Sequence, residues 1–319
     1  MTPGMANRVR WFVVYAVLLC LAFAKPLYLL ARYSAASDLH SHALLVPLVA
    51  AYLVWERRHK PVPPISSSPV LAVIPAALGL AALNAYFVLS RRGALPEPCD
   101  GLAMTTAAWW GLLLAGALAI LGGHMVRAFL FPAAFLLFMI PMPTAARDWL
   151  EIVLQRASAE AAAGLFAVTG ATVFREGQVF QLPGLTIRVA QECSGIRSTW
   201  VLFIVSLVAA YWLLRSPWRR AVLVLAVVPL AILRNAFRIV SLALLTVHVD
   251  ARVIDSPLHH KGGPIFFVLS LVPFLLLLGW LRHTERGCAP PQTGGPDRLT
   301  TGGVDADRRP GAAHKEQHR

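Results

Sequence analysis

The chain is poor in charge. Asp, Glu, Lys and Arg make up 14% of its 319 residues, against about 25% in an ordinary soluble domain. Acid is scarcest, with 16 Asp and Glu against 29 Lys and Arg. Cysteine is scarce and scattered. Cys20, Cys99, Cys193 and Cys288 form no C-x2-C pair and no zinc-ligand spacing, which argues against a disulfide framework and leaves each to be judged alone. No GxGxxG and no P-loop is present, so the Gly-rich phosphate cradles are missing. Neither a cofactor nor a metal is expected. What the chain has instead is 57% hydrophobic residues and a mean hydropathy of +0.62. That balance excludes a disordered, collagen-like or disulfide-stapled chain and points to a multi-spanning membrane protein.

Apolar runs fall at about residues 11–31, 42–55, 70–90, 102–121, 126–141, 196–214, 221–249 and 264–281. A bilayer-crossing helix needs about 20 apolar residues. The expected fold is therefore an all-α polytopic membrane protein with about 8 transmembrane helices. Lys25-Pro26 kinks or ends the first run, Pro75 lies within the third, and Pro141-Met142-Pro143 closes the fifth. Arg8 and Arg10 fit the n-region of a signal peptide, but the apolar stretch behind them is long and has no clean cleavage site, so it reads as a span. The formal charge of +13 would favour nucleic acid in a soluble protein. Here the basic residues sit in short loops, where they set orientation and meet anionic lipid headgroups; no nucleic-acid partner is expected. Lys and Arg place the N-terminus and the loops near 56–60, 124–127 and 215–220 in the cytoplasm, and 32–41, 91–101, 142–195 and 250–263 outside, with Arg91-Arg92 running against the rule. Residues 1–285 form the transmembrane domain. Residues 286–319, rich in Gly, Pro and charge, read as a disordered cytoplasmic tail.

The longest outer segment is the most informative. Over 146–169, Leu150, Val153, Leu154, Ala157 and Ala161 recur at helical spacing beside Glu151, Gln155, Arg156 and Glu160. This helix either lies in the interface or lines the bundle with polar groups. Residues 172–190, with turn signals at Glu176-Gly177 and Pro183-Gly184, read as a short β-hairpin or two. The result is an extracytoplasmic β-hairpin-like insertion before the sixth span.

Three polar features carry candidate chemistry. Cys193 stands at the start of the sixth span, between Glu192 and Ser194-Gly195. A helix N-terminus offers free N–H groups and the positive end of the dipole, and both favour the thiolate. Arg234-Asn235-Ala236-Phe237-Arg238 lies within the seventh run. An Arg at membrane depth costs roughly 2.5–3.5 kcal/mol on insertion scales. The two arginines are four apart and share one helical face, which should look into the bundle. The alternative is that 221–249 is two shorter segments with a break at Arg234. His259-His260-Lys261 precedes the last span and supplies a general acid or base, with Asp250 and Asp255 near in sequence; the bland alternative is a solvated loop. A Cys, Arg and His set without metal spacing suits thiol-based acyl transfer.

These residues resemble the exosortase/archaeosortase family of membrane cysteine transpeptidases. VAQECSGIRST resembles its cysteine motif, RNAFRIVSLALL its N-x-x-R-I motif, and SPLHHKGGPIFF its histidine motif. DLHSHALLVPLVAAYLVWERR resembles its N-terminal Ser-His-x-x-Leu-Val-Pro stretch, and LQRASAEAAAGLFAVTGATVFREGQVFQLPG its extracytoplasmic segment. The resemblance implies Cys193, Arg238 and His259 as catalytic residues, with Asn235 the motif asparagine and His260 the neighbouring alternative to His259; Arg234, which lies outside the family pattern, is expected in support with Glu192 and Ser194. It implies a multi-pass protein of the cell (inner) membrane with its site on the extracytoplasmic side. Its substrates would be exported proteins ending in a short motif such as Pro-Glu-Pro, a membrane helix and a basic tail. The new carboxyl end would pass to an envelope acceptor, a glycolipid or polysaccharide-linked group. The rival reading is a non-enzymatic transporter or assembly factor for envelope polysaccharide, in which buried Arg and His line a path. Against it, the chain has no inverted repeat and no paired broken helices. A third is an intramembrane hydrolase without an acceptor.

Overall fold

The computed structural model describes residues 3–57, 68–95, 97–170, 172–183, 185–189, 195–248 and 263–287. The protein is mostly helical, because a chain in hydrocarbon must satisfy its backbone hydrogen bonds within each segment. Helices α1 (Pro3–Ala22) and α2 (Ala24–Ala36) join at Phe23. A 3₁₀ turn, Ser41–Leu44, leads to α3 (Val46–Arg57). The long α4 (Pro69–Arg91) and α5 (Pro98–Ile120) pair closely. Then come α6 (Gly123–Ala128), α7 (Leu130–Phe135), a 3₁₀ turn at Leu136–Met139 and α8 (Thr144–Thr169). Strands β1 (Phe174–Glu176), β2 (Val179–Leu182) and β3 (Leu185–Arg188) form an antiparallel meander. The chain continues through α9 (Ile196–Leu213), α10 (Pro217–Leu225), α11 (Val227–His248) and α12 (Gly263–Gly287).

Among the described residues, the eight apolar runs resolve into six helices long and apolar enough to cross a membrane, or seven if one bent pair counts as a span. The difference has a plain cause. Hydropathy counts apolar residues and does not register whether a helix is continuous. The run 42–55 becomes the 12-residue α3. The run 126–141 breaks into α6, α7 and a 3₁₀ turn, then meets α8 at 91°. The insertion before the sixth candidate run is the meander, as expected. The helix over 146–169 is present as α8, but its buried face is rotated: Leu154, Gln155, Ser158, Ala159, Ala162 and Phe166 are inside, while Val153 is exposed. The assigned tail lies outside the described residues, except for Arg286 and Gly287, which finish α12.

Length decides the shape of the C-terminal half. α9 has 18 residues, about 27 Å. The stretch Pro217–Val247 has 31, about 46 Å, against a hydrocarbon thickness of about 30 Å. The excess of 13 residues on α11 cannot be matched by α9. It is covered by α8 and the sheet: Ala236, Ile239, Val240 and Ala243 pack with Ala159, Ala162, Phe166, Phe180, Leu182 and Val189. Arg175 of β1 grips Glu160 of α8 with both terminal nitrogens, at 2.8 and 2.6 Å.

In the N-terminal half, α4 and α5 touch backbone to backbone at Gly79 and Gly111. A Cβ at Gly111 would lie 2.9 Å from the Pro75 carbonyl oxygen and 3.1 Å from Gly79 Cα. Helices that gain no hydrophobic advantage from meeting in lipid associate through such close packing. Gly111→Val should therefore destabilise the protein by about 1–3 kcal/mol. Thermal unfolding in detergent would read this as a lowered midpoint, and an unchanged midpoint would show that the α4–α5 contact is slack.

Candidate active site

The α9–α10 turn fixes a register. α9 spans 18 residues, and counting 18 from Pro217, where the chain turns back, reaches Arg234. Arg234 and the residue just before α9, Gly195, are indeed neighbours. Arg234 Nη2 donates to the Gly195 carbonyl at 3.2 Å and lies 3.4 Å from Thr199 Oγ1. The same carbonyl accepts from Thr199 N–H at 3.0 Å, Thr199 Oγ1 at 2.8 Å and Ser198 Oγ at 3.1 Å. Gly195 is left-handed, with φ +67°, and a Cβ there would stand 2.8 Å from Arg234 Nη2 and 3.6 Å from Asn235 Oδ1. The position favours glycine for its conformation, and a side chain there would push the Arg234 guanidinium off the carbonyl. Arg234 is 9% exposed and Asn235 2%. Arg238 is half-buried one helical turn further along, about 6 Å from Arg234.

The N-terminal half closes on the same end of α9. Asp38 accepts from Arg197 Nη1 at 2.6 Å. His42 and His40 form a short polar layer in which each ring has one readable tautomer. His42 Nδ1 is 3.0 Å from the Leu39 carbonyl, which can only accept, so Nδ1 carries the proton. Its Nε2 then accepts from Trp200 Nε1–H at 3.2 Å. His40 Nε2 accepts from the Met142 N–H at 3.3 Å, and its Nδ1–H faces Ser37 Oγ at 3.1 Å. Asp100 extends the layer. It lies at the start of α5 and accepts from Thr144 N–H at 2.8 Å and Thr144 Oγ1 at 2.7 Å, capping α8, whose own N-cap is Pro143. On α12, Phe266 meets Phe237 with ring centroids 6.3 Å apart.

Glu56, Arg57, Arg215, Arg219, Arg220 and Glu285 gather at the opposite end. There Glu285 accepts from the Arg215 and Ser216 N–H groups, and Trp212 donates to Glu56. Asp38, Arg197 and the His layer therefore share an end with Arg234, away from this basic cluster.

Of the expected site residues, Arg234, Asn235 and Arg238 are described and sit together on α11 at the start of α9. Glu192, Cys193, Ser194, His259 and His260 lie outside the described residues. Among the described residues, no three His, Cys, Asp or Glu side chains converge as a metal set would. Sequence reasoning assigns no role to Asp38, His40, His42, Thr199 or Trp200. The available signal is the dense polar stretch Asp38-Leu39-His40-Ser41-His42 between two apolar runs.

A family model described as transmembrane exosortase matches residues 33–276, more than half of the chain. No curated protein and no solved structure matches.

Burial first, and then His42 and Arg147, push the His40 pKa down to about 4 from 6.5. Burial also lowers that of His42. Between about pH 6.5 and 4 the unfolded chain binds a proton that the folded one refuses, so stability must rise with pH across that window. The thermal midpoint in detergent should fall as pH is lowered from 7 to 5. His40→Asn, which can still accept from Met142, should flatten that slope without abolishing it, since His42 contributes too. An equal slope in both proteins would refute the assignment.

Proposed function

Because the chain belongs to the transmembrane exosortase family, whose members are embedded in the membrane and act on exported proteins with C-terminal sorting signals, we propose that it is a cysteine transpeptidase of the inner membrane with its site on the extracytoplasmic side. Cys193 is the nucleophile, Arg238 the oxyanion donor and His259 the proton carrier, with His260, Glu192, Ser194 and Asn235 beside them. The thiolate of Cys193 attacks the scissile carbonyl, and Arg238 donates to the developing oxyanion. His259 gives its proton to the leaving amine as the C–N bond breaks, which leaves a thioester. An acceptor nucleophile from an envelope glycolipid or polysaccharide-linked group loses its proton to His259, attacks the thioester and frees the thiolate. Water kept out by the bundle favours transfer over hydrolysis.

The observation that carries this reading is the α9–α11 register. It supports a site in which Gly195, two residues after Cys193, abuts Arg234 and Asn235, with Arg238 a turn beyond. Two residues of chain reach about 7 Å at most. The Phe237–Phe266 contact brings the first turn of α12, which begins four residues after His259, to the same level.

The test uses a reporter ending in a Pro-Glu-Pro motif, an apolar helix and an Arg cluster, co-expressed with the enzyme. Cys193→Ala should leave it uncut at normal enzyme levels. Arg238→Gln should slow cleavage about 10²–10³-fold, and His259→Ala about 10²–10⁴-fold. Mass spectrometry of the new C-terminus should find an acceptor adduct. Cleavage by Cys193→Ala would refute the nucleophile, and a bare carboxylate would make the enzyme a hydrolase.

A further inference from the structure

The proposed mechanism leaves two buried polar side chains unused, and both touch the backbone that flanks the cysteine motif. On one flank is Val189, 1% exposed, at the end of β3. Its N–H donates to the Gln178 carbonyl at 3.0 Å, and its own carbonyl accepts from Gln155 Nε2 of α8. Gln155 is 7% exposed, an amide drawn inward on a helix whose sequence period would have turned it outward. On the other flank is Gly195, whose carbonyl collects Arg234 Nη2 in addition to two hydroxyls and an N–H. A carbonyl has two lone pairs, so Arg234 is not needed merely to satisfy it. Arg234 also keeps Nη1 buried with no partner among the described residues. A protein tolerates a guanidinium so placed where the group has a task.

We propose that Gln155 and Arg234 are a pair of positioning residues: they fix the backbone on either side of residues 190–194 and so set the direction in which Cys193 is presented. This rests on Cys193 being the nucleophile. Neither side chain is asked to touch substrate. Gln155 acts through Val189, and Arg234 through the left-handed Gly195. Two elements that pack against each other, α8 and α11, thus hold the two ends of one five-residue segment. A displacement of about 1 Å at the nucleophile costs up to about 100-fold in rate.

The test uses the full-length enzyme in detergent with the same reporter. Gln155→Met and Arg234→Met each keep most of the side-chain volume and lose the contact. Each should lower kcat about 10- to 100-fold, with KM within about twofold. The double variant should fall short of the product of the two losses, because both act on one segment. The pH midpoint for alkylation of Cys193 by a small methanethiosulfonate should stay at the wild-type value in Arg234→Gln, as expected of a group that positions the thiol without stabilising its charge. Where Arg234→Gln does not fold, Thr199→Val removes a hydroxyl from the same carbonyl and should cost about threefold in kcat. Rates within twofold of wild type in the folded variants, a loss confined to KM, or a raised alkylation midpoint would each overturn the proposal. A wild-type enzyme that leaves the reporter uncut, or a Cys193→Ala variant that cuts it, overturns the nucleophile reading beneath. An inert Cys193→Ala beside full-rate Gln155→Met and Arg234→Met overturns the positioning pair alone.

Discussion

An 18-residue helix lies antiparallel to a stretch of 31, and the unmatched length has to go somewhere. Both begin at the Arg215 turn, so the excess appears at the far end, beyond Gly195. Two consequences follow from that one mismatch. The first is that α11 projects past the start of α9 and needs a cover, which α8 and the three strands supply through small residues: Ala159 and Ala162 against Ala236 and Ala243. The second is that Arg234, Asn235 and Arg238 stand at the boundary, where α9 gives way to that cover. There Arg234 and Asn235 are buried in protein and Arg238 is half-buried. At the boundary a guanidinium can meet a carbonyl at the end of one helix while its aliphatic stem stays among apolar neighbours.

The same boundary collects polar groups from the N-terminal half. His42 binds Trp200, and Asp38 binds Arg197, so the first turn of α9 is held from the N-terminal side while Arg234 holds it from α11. A helix start fixed from two directions has little freedom to tilt or slide. That rigidity has a cost in acid, because both imidazoles keep the neutral form that their partners require. Trp200 Nε1–H can only donate, so a protonated His42 would set one N–H against another.

How much of this was legible depended on whether the signal was local. The long helices were, since about 20 apolar residues in a row leave few alternatives. Arg234 and Arg238 stood out because charge inside an apolar run is anomalous wherever it appears. The meander was readable from Glu176-Gly177 and Pro183-Gly184. The breaks around α6 and α7 were not, because Phe129 and Leu136 are as apolar as their neighbours. For α8 the sequence left open an interfacial helix or one lining the bundle with polar groups, and the apolar period alone did not pick out the buried face. Gln155 turns inward for Val189, a partner 34 residues away. Nor could the role of the Asp38–His42 stretch be seen. His42 and Trp200 are 158 residues apart, and no periodicity links them.

The proposed acyl transfer would gain from this arrangement for a reason that does not depend on any one side chain. A thioester intermediate survives only if its surroundings are set before the reaction and admit little water. Flexible charged loops over a membrane surface would supply the opposite. Here the backbone on each flank of the cysteine motif is tied to a packed helix: Val189 to α8, and Gly195 to α11. Those two helices bury a common face, so the flanks cannot move apart unless that core opens. The chain thus turns a length mismatch within the bundle into a rigid ledge at the boundary. At that ledge an amide meets the Val189 carbonyl and a guanidinium meets the Gly195 carbonyl, two polar groups that the hydrocarbon alone would have expelled.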